Sequence, residues 1–313
     1  MKQEERRQPV LKAVVMDMDG TLLNENNQIS PFTRNFLIDL EKQGVKLVLA
    51  SGRSYTRLLN YAKELQMDQF GGYLIEIDGV ALYEMKSGER TKYHEMAPEE
   101  IHDVYTWLTK TDAESQAMFD DGLFDFIPDS AMKIKKAIRQ EQHLPDDYPW
   151  TAGPWSWLTD FRDGYPNISY VKSADEINRP INKIQIMQDE EPLEAVYQGL
   201  VKNFSDRFSI YRTTPRQLEI LPAGYSKGKG VRNLMDKEGW SKEETVVFGD
   251  GENDVSMFEE VVHSFAMGNA RDYVKEKAAA AAPSNREDGI AKALQSALEK
   301  GELLLPQANP LKS

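Results

Sequence analysis

The chain has 313 residues, no cysteine and a formal net charge of −13, with 28% charged and 40% hydrophobic residues. That length predicts two domains; the missing cysteine excludes disulfides, thiolate catalysis and thiolate metal sites; the acidic balance argues against non-specific nucleic-acid binding. No apolar run approaches the roughly 20 residues that span a bilayer, and residues 1–7 are charged with no apolar stretch after them, so neither a membrane span nor a signal peptide is expected and a cytoplasmic location follows by default.

The first third alternates. Residues 10–16 read as a buried strand that runs into Asp17-Met18-Asp19-Gly20-Thr21. Ser30-Pro31 opens a helix with Phe32, Phe36, Leu37 and Leu40 on one face and Gly44 after its end, the residue types favoured at N-cap, first position and terminus. Residues 45–50 form a second strand, Ser54 caps a helix carrying Leu58, Leu59, Ala62 and Leu65, and residues 73–75 form a third strand. Strand–helix alternation predicts a parallel sheet with right-handed crossovers.

The texture changes near residue 84. Residues 98–110 read as a helix; 120–166 are rich in Pro, Gly, Asp and aromatics, with Trp150, Trp155 and Trp157 among them. A strand over 181–187, a helix over 192–201 and a strand over 208–212 follow. Alternation returns after Pro222: Ser226 caps a helix ended by Gly239, 245–248 and 265–267 are strands, and 287–300 is a final helix. The fold class predicted is α/β, a doubly wound (Rossmann-like) parallel sheet of residues 1–83 and 223–313 with an inserted α+β domain of 84–222. The tail 301–313 is expected to be loosely ordered.

Two acidic clusters follow strands: Asp17 with Asp19, and Gly249-Asp250-Gly251-Glu252-Asn253-Asp254. In doubly wound sheets ligands bind beyond the carboxyl ends of the strands, so Asp17, Asp19, Ser51 and Asp250 are expected at one edge. Carboxylates there suit a hard cation, Mg²⁺. Asp17 is a candidate nucleophile toward phosphorus, and Asp19, two positions on, a candidate general acid and base. Ser51 and the Gly52 N–H offer donors to phosphoryl oxygens, and a nearby lysine would balance the charge.

At these residues the chain resembles the haloacid dehalogenase-like hydrolase superfamily and its Cof-type phosphatases. The resemblance rests on Asp17 to Thr21, on Ala50-Ser51-Gly52-Arg53, on Gly224-Tyr225-Ser226-Lys227-Gly228 and on Gly249 to Asp254, with Met267-Gly268-Asn269-Ala270 and Asn285-Arg286-Glu287-Asp288-Gly289 as further strings. It covers both core segments in order; the insertion matches in placement and texture, where such proteins carry a class IIB cap. The resemblance implies Asp17 as nucleophile and Mg²⁺ ligand, Asp19 as acid/base with its backbone carbonyl on the metal, Met18 N–H, Lys227 and Asn253 on phosphate, and Asp250 and Asp254 as metal ligands. Asp78 stands where the family usually has Asn.

The function expected is hydrolysis of a small phosphorylated metabolite (sugar phosphate, nucleotide, flavin mononucleotide or pyridoxal phosphate) through an aspartyl-phosphate, without nucleic-acid or membrane partners and with oligomeric state open. A phosphotransferase or mutase using the same intermediate, and a non-catalytic phosphometabolite binder, remain alternatives. Lys227 is preferred over Lys229 as the site lysine. His94, His102, His143 and His263 are read as non-catalytic, the three tryptophans as core, and Lys183, Arg212 and Arg216 as solvated surface.

Overall fold

The computed structural model describes residues 8–306; the expectations for residues 1–7 and 307–313 lie outside them. The chain forms two compact units, one of residues up to Thr91 together with those from Ser226, the other Lys92–Tyr225. Both divisions fall a few residues beyond the sequence boundaries; the first does so because the polypeptide, after its third strand, makes two more strands in the same sheet before leaving it.

In chain order the elements are β1 (Ala13–Asp17), α1 (Pro31–Lys42), β2 (Lys46–Ala50), α2 (Leu59–Glu64), α3 (Met67–Phe70), β3 (Tyr73–Glu76), β4 (Ala81–Glu84) and β5 (Arg90–Lys92). Next come α4 (Pro98–Leu108), β6 (Glu114–Phe119), β7 (Gly122–Phe126), α5 (Asp129–Glu141), β8 (Asn167–Tyr170), β9 (Lys183–Met187), α6 (Glu190–Phe204), β10 (Phe208–Thr214) and β11 (Gln217–Pro222). The chain closes with α7 (Lys227–Glu238), β12 (Thr245–Gly249), α8 (Val255–Phe258), β13 (His263–Ala266), α9 (Asp272–Lys275), β14 (Ala280–Ala281) and α10 (Gly289–Glu299).

Among the described residues the first unit carries an eight-stranded sheet in the order β14-β13-β12-β1-β2-β3-β4-β5. It is parallel from β14 to β3, with β4 antiparallel to β3. β1, β2, β3 and β12 are buried almost throughout, as strands covered on both faces must be. The chain passes from β1 to β2 and β3 on one side and returns to β12 and β13 on the other. The order therefore reverses between β1 and β12, where doubly wound sheets open a crevice at the carboxyl ends.

The predicted caps hold at two helices. Thr33 N–H donates to Ser30 Oγ at 3.1 Å at the start of α1, and Lys229 N–H donates to Ser226 Oγ at 3.1 Å at the start of α7. Gly239 ends α7 at φ 68°, the left-handed conformation that glycine adopts without steric cost. Ser54 makes no capping bond; the helix expected there breaks into a 3-10 turn and α2. The Tyr55 N–H donates instead to Glu76 Oε2 at 2.8 Å. Within the tail, residues 303 and 304 are tied to the first unit: Leu11 N–H donates to the Leu304 carbonyl at 2.8 Å, Leu304 N–H to the Pro9 carbonyl at 2.9 Å, and Leu303 is buried.

The second unit is a six-stranded sheet in the order β10-β11-β9-β6-β7-β8, antiparallel except for β7 with β8. Ala117, Phe119, Phe124, Ile184, Ile186, Leu218 and Ile220 line one face and pack against α4 and α6. The other face alternates with them and carries Glu114, Gln116, Asp125, Lys183, Gln185, Gln217 and Glu219. Several sequence expectations change here. Lys183, expected on the surface, is buried and paired with Glu219 at 2.8 Å, and Trp155, expected in the core, is 72% exposed. The polar stretch from residue 120 contains β7 and the 13-residue α5, whose lysines hide an amphipathic pattern.

Candidate active site

β1 ends on Asp17, and β12 ends on Gly249, so Asp17 and Asp250 flank the point where the strand order reverses. The backbone turns sharply after each strand. Gly20 has φ +86°, and a Cβ there would collide with the Asp250 carboxylate. Thr21 Oγ donates to Asp250 Oδ1 at 3.0 Å and ties the first acidic turn to the second. Asp254, after the second turn, is buried; its Oδ2 accepts the Asp250 N–H at 3.0 Å and the Gly251 N–H at 2.9 Å.

Lys227, the first residue of α7, is buried between the clusters, with Nζ 2.6 Å from Asp17 Oδ1 and 2.7 Å from Asp254 Oδ1. Glycines make this approach possible. A Cβ on Gly228 would meet the Ser256 carbonyl, and one on Gly230 would lie 2.5 Å from Ile75 Cγ2, so α7 sits close against β3 and α8. Lys229 is exposed, and Lys227 is the lysine of the site.

Ligand oxygens of Asp17, Asp250 and Asp254 lie within 4.8 Å of one another. Three carboxylates face one ammonium, and the imbalance marks their acidities. Burial, then the Asp254 carboxylate, pushes Asp17 well above the usual carboxylate range, although Lys227 pulls it down. Burial and Asp254 push Asp250 up to about 7. Burial works against the Lys227 charge, but Asp17, Asp254 and Asp78 hold its pKa well above the ordinary value. A buried cluster of oxygen donors with surplus negative charge has the chemistry of a hard-cation site, so these residues fit Mg²⁺.

The remaining expected residues sit around this cluster. The Asp19 carboxylate is held by Arg53, whose Nε donates to Oδ2 at 3.1 Å while its other arm holds Oδ1, a bidentate clamp. Met18 is buried, and its carbonyl accepts the Thr21 and Leu23 N–H groups at 3.3 and 2.9 Å. Ser51 is buried at the end of β2, and its Oγ accepts the Arg53 N–H at 3.2 Å, with Gly52 in the turn between them. Asn253 donates from Nδ2 to Asp78 Oδ1 at 3.0 Å, so one of its two amide hydrogens is committed. Asp78 itself has φ 50° and ψ 40°, a conformation that Asp tolerates through its short polar side chain.

Residues 14–294 match the haloacid dehalogenase-like hydrolase family. The chain belongs to that family. A Bacillus subtilis 5-amino-6-(5-phospho-D-ribitylamino)uracil phosphatase is 26% identical over 285 residues, 91% of this chain and 95% of the relative. A solved haloacid dehalogenase-like hydrolase from Bacteroides thetaiotaomicron is 27% identical with a TM-score of 0.71, covering 91% of this chain and 99% of the other. A solved sugar phosphatase of haloacid dehalogenase subclass IIB is 24% identical with a TM-score of 0.69, covering 91% and 98%, and its likeness is one of fold.

Asn269 is the site neighbour to which sequence reasoning assigned no role. Its Nδ2 donates to the Gly20 carbonyl at 2.8 Å and lies 3.3 Å from Asp250 Oδ2, locking the two acidic turns together from the loop after β13. The signal available was its place in Met267-Gly268-Asn269-Ala270, directly after a strand. The four histidines take no part: His94 and His102 pair with Glu100 and Asp175 in the second unit, and His143 and His263 lie elsewhere.

Proposed function

We propose that this hydrolase is a Mg²⁺-dependent phosphatase that cleaves a small organic phosphomonoester through an aspartyl-phosphate. The observation that carries the proposal is the convergence of Asp17, Asp250 and Asp254 around Lys227 at the sheet's topological switch point. Asp17 attacks phosphorus as the bond to the leaving oxygen breaks, and the Asp19 carboxyl gives that oxygen its proton. A water then attacks the phosphorus of the acyl phosphate; the Asp19 carboxylate takes a proton from it, and Asp17 and orthophosphate separate. Lys227, Ser51, Asn253 and the N–H groups of Met18 and Gly52 neutralise and orient the phosphoryl oxygens, positioning that supplies most of the rate in such transfers.

Asp17, Asp250, Asp254 and the Asp19 carbonyl would hold the Mg²⁺, which when bound supplies the positive charge that the carboxylates lack. The Lys92–Tyr225 unit acts as the specificity cap. The naming of relatives as phosphatases, one of them for a ribitylaminouracil phosphate, supports a phosphorylated small molecule as substrate. The test is release of orthophosphate from a panel of metabolite phosphomonoesters with Mg²⁺, with EDTA and with Asp17→Asn. Mg²⁺-dependent release that the substitution abolishes supports the reading; phosphate retained on an organic acceptor overturns hydrolysis in favour of transfer.

A further inference from the structure

The chain leaves β3 through consecutive residues with left-handed backbone. Ile77, Asp78 and Gly79 follow the strand directly, and their φ angles are +52°, +50° and +91°. Positive φ is uncommon for any residue with a Cβ and is an outlier for a β-branched one such as Ile77. A backbone held this way persists only where its surroundings over-determine it. Here they do. Ile77 N–H donates to the Arg53 carbonyl at 3.2 Å and Asp78 N–H to the Ser51 carbonyl at 3.0 Å, which laces the turn to the loop after β2. Gly79 lies so near the start of α7 that a Cβ there would strike the Ser226 carbonyl and sit 3.2 Å from the Gly230 nitrogen. Ile77, Asp78 and Gly79 are all buried.

What the turn holds in place is the Asp78 carboxylate against Asn253. Asp78 is 1% exposed, and its Oδ1 accepts an Asn253 Nδ2 hydrogen at 3.0 Å. Asn253 lies in the 3-10 turn after β12, next to Asp254. Its amide has a donor end and an acceptor end, and the two are nearly alike in shape. A carboxylate offers only acceptors, so Asp78 selects the donor end. The acceptor end has its own place: a Cβ on Gly251 would lie 2.7 Å from Asn253 Oδ1, so the oxygen rests where only glycine leaves room. Asp78 takes one amide hydrogen, and the second remains for another acceptor.

We infer that Asp78 is a positioning residue: by fixing the Asn253 amide, it aims the second Nδ2 hydrogen at the phosphoryl oxygens. This deepens the phosphatase reading and rests on it. Through its backbone the same turn touches the loop that carries Ser51 and Gly52 and the helix start that carries Lys227. A carboxylate beside an anion site is otherwise unfavourable, because its charge repels phosphate. Orientation offsets that repulsion: a donor already held in its rotamer has little entropy left to lose when phosphate arrives. The left-handed position also narrows the choice of residue, since Asp and Asn are the side-chain acceptors that tolerate it.

Calorimetric titration with inorganic orthophosphate, at fixed Mg²⁺, tests this in wild type, Asp78→Gly, Asp78→Asn, Asn253→Ala and the double variant Asp78→Gly/Asn253→Ala. Glycine and asparagine both accept the left-handed turn, and asparagine keeps an oxygen for the Asn253 hydrogen. Binding should weaken about tenfold in Asp78→Gly and recover most of that loss in Asp78→Asn. The double variant should bind no more weakly than Asn253→Ala alone, the mark of two residues acting as a unit. Losses that add would overturn the inference, and so would tighter binding in both Asp78 variants, which is the signature of charge without orientation. Wild type that binds no orthophosphate overturns it as well. A second readout needs no change at Asp78: the Asn253 side-chain amide, identified in ¹⁵N-labelled protein by its loss in Asn253→Ala, should exchange slowly with solvent before orthophosphate is added. Fast exchange until phosphate binds contradicts the inference. Coupled orthophosphate binding without any Mg²⁺-dependent phosphate release would overturn the phosphatase reading alone and leave the positioning role standing.

Discussion

Each unit buries acidic side chains around a lysine, and the two clusters differ in what completes them. In the six-stranded sheet, Glu114 is met by Lys135, Gln116 and the Ala152 N–H. Its neighbour Asp125 is pushed well above the usual carboxylate range, first by burial and then by Glu114. Protein groups complete that cluster around Glu114, and it serves as a clamp. In the eight-stranded sheet, Lys227 meets two carboxylates directly while a third, Asp250, lies beside them, with oxygens of all three acids within 4.8 Å of one another. Buried charge alone does not mark a site; unbalanced charge with converging oxygens does.

The comparison can be broken in four places. The largest effect is expected from Asp17→Asn, which should lower turnover by at least about a thousandfold, since its carboxylate is the proposed nucleophile. Steady-state phosphate release checks this, and the same loss is expected for Asp250→Asn. Lys135→Met, which strands Glu114 in the clamp, should cost about 3–5 kcal/mol in urea unfolding, yet leave the Mg²⁺-induced rise in Tm intact.

That rise should reach about 2.7 kcal/mol of stabilisation at a hundred times Kd and vanish in Asp254→Asn; an equal rise in the variant would place the cation elsewhere. The smallest effect is its pH dependence. The Asp250 carboxyl is raised to about 7, above its unfolded value. The metal-free fold therefore has its full contribution from this group below the unfolded carboxylate pKa and loses it as pH rises through about 7. A cation must displace that proton. Calorimetry should show the Mg²⁺ shift growing as pH rises through 7 and then levelling, and a shift that shrinks over that range would contradict the assignment.

Most of the first unit was legible because its signals are local. Buried parallel strands are short apolar runs, and Ser30-Pro31, Ser226 and Gly239 punctuate the helices as capping chemistry requires. Asp17 and Asp250 could be singled out because each follows a strand, and their convergence was expected from the doubly wound topology; Asp254 and Lys227 were indicated only by the family resemblance. The Arg53 clamp on Asp19 and the Asn269 bridge were not legible as contacts, because both are pairings between loops distant in sequence. The second unit was harder. Its sheet has one polar face, so Lys183 read as solvated surface although it is buried beside Glu219, and α5 was masked by its lysines. Trp155 and Trp157 are indistinguishable by type and spacing, yet Trp155 is exposed and Trp157 buried.

The most direct measurement is acid quench of the Mg²⁺-loaded protein during turnover of a phosphomonoester carrying radiolabelled phosphate, followed by mapping of the labelled peptide. The account predicts label on the peptide containing Asp17, dependent on Mg²⁺ and absent in Asp17→Asn. Turnover with no label on that peptide, or undiminished turnover in Asp17→Asn, would contradict it.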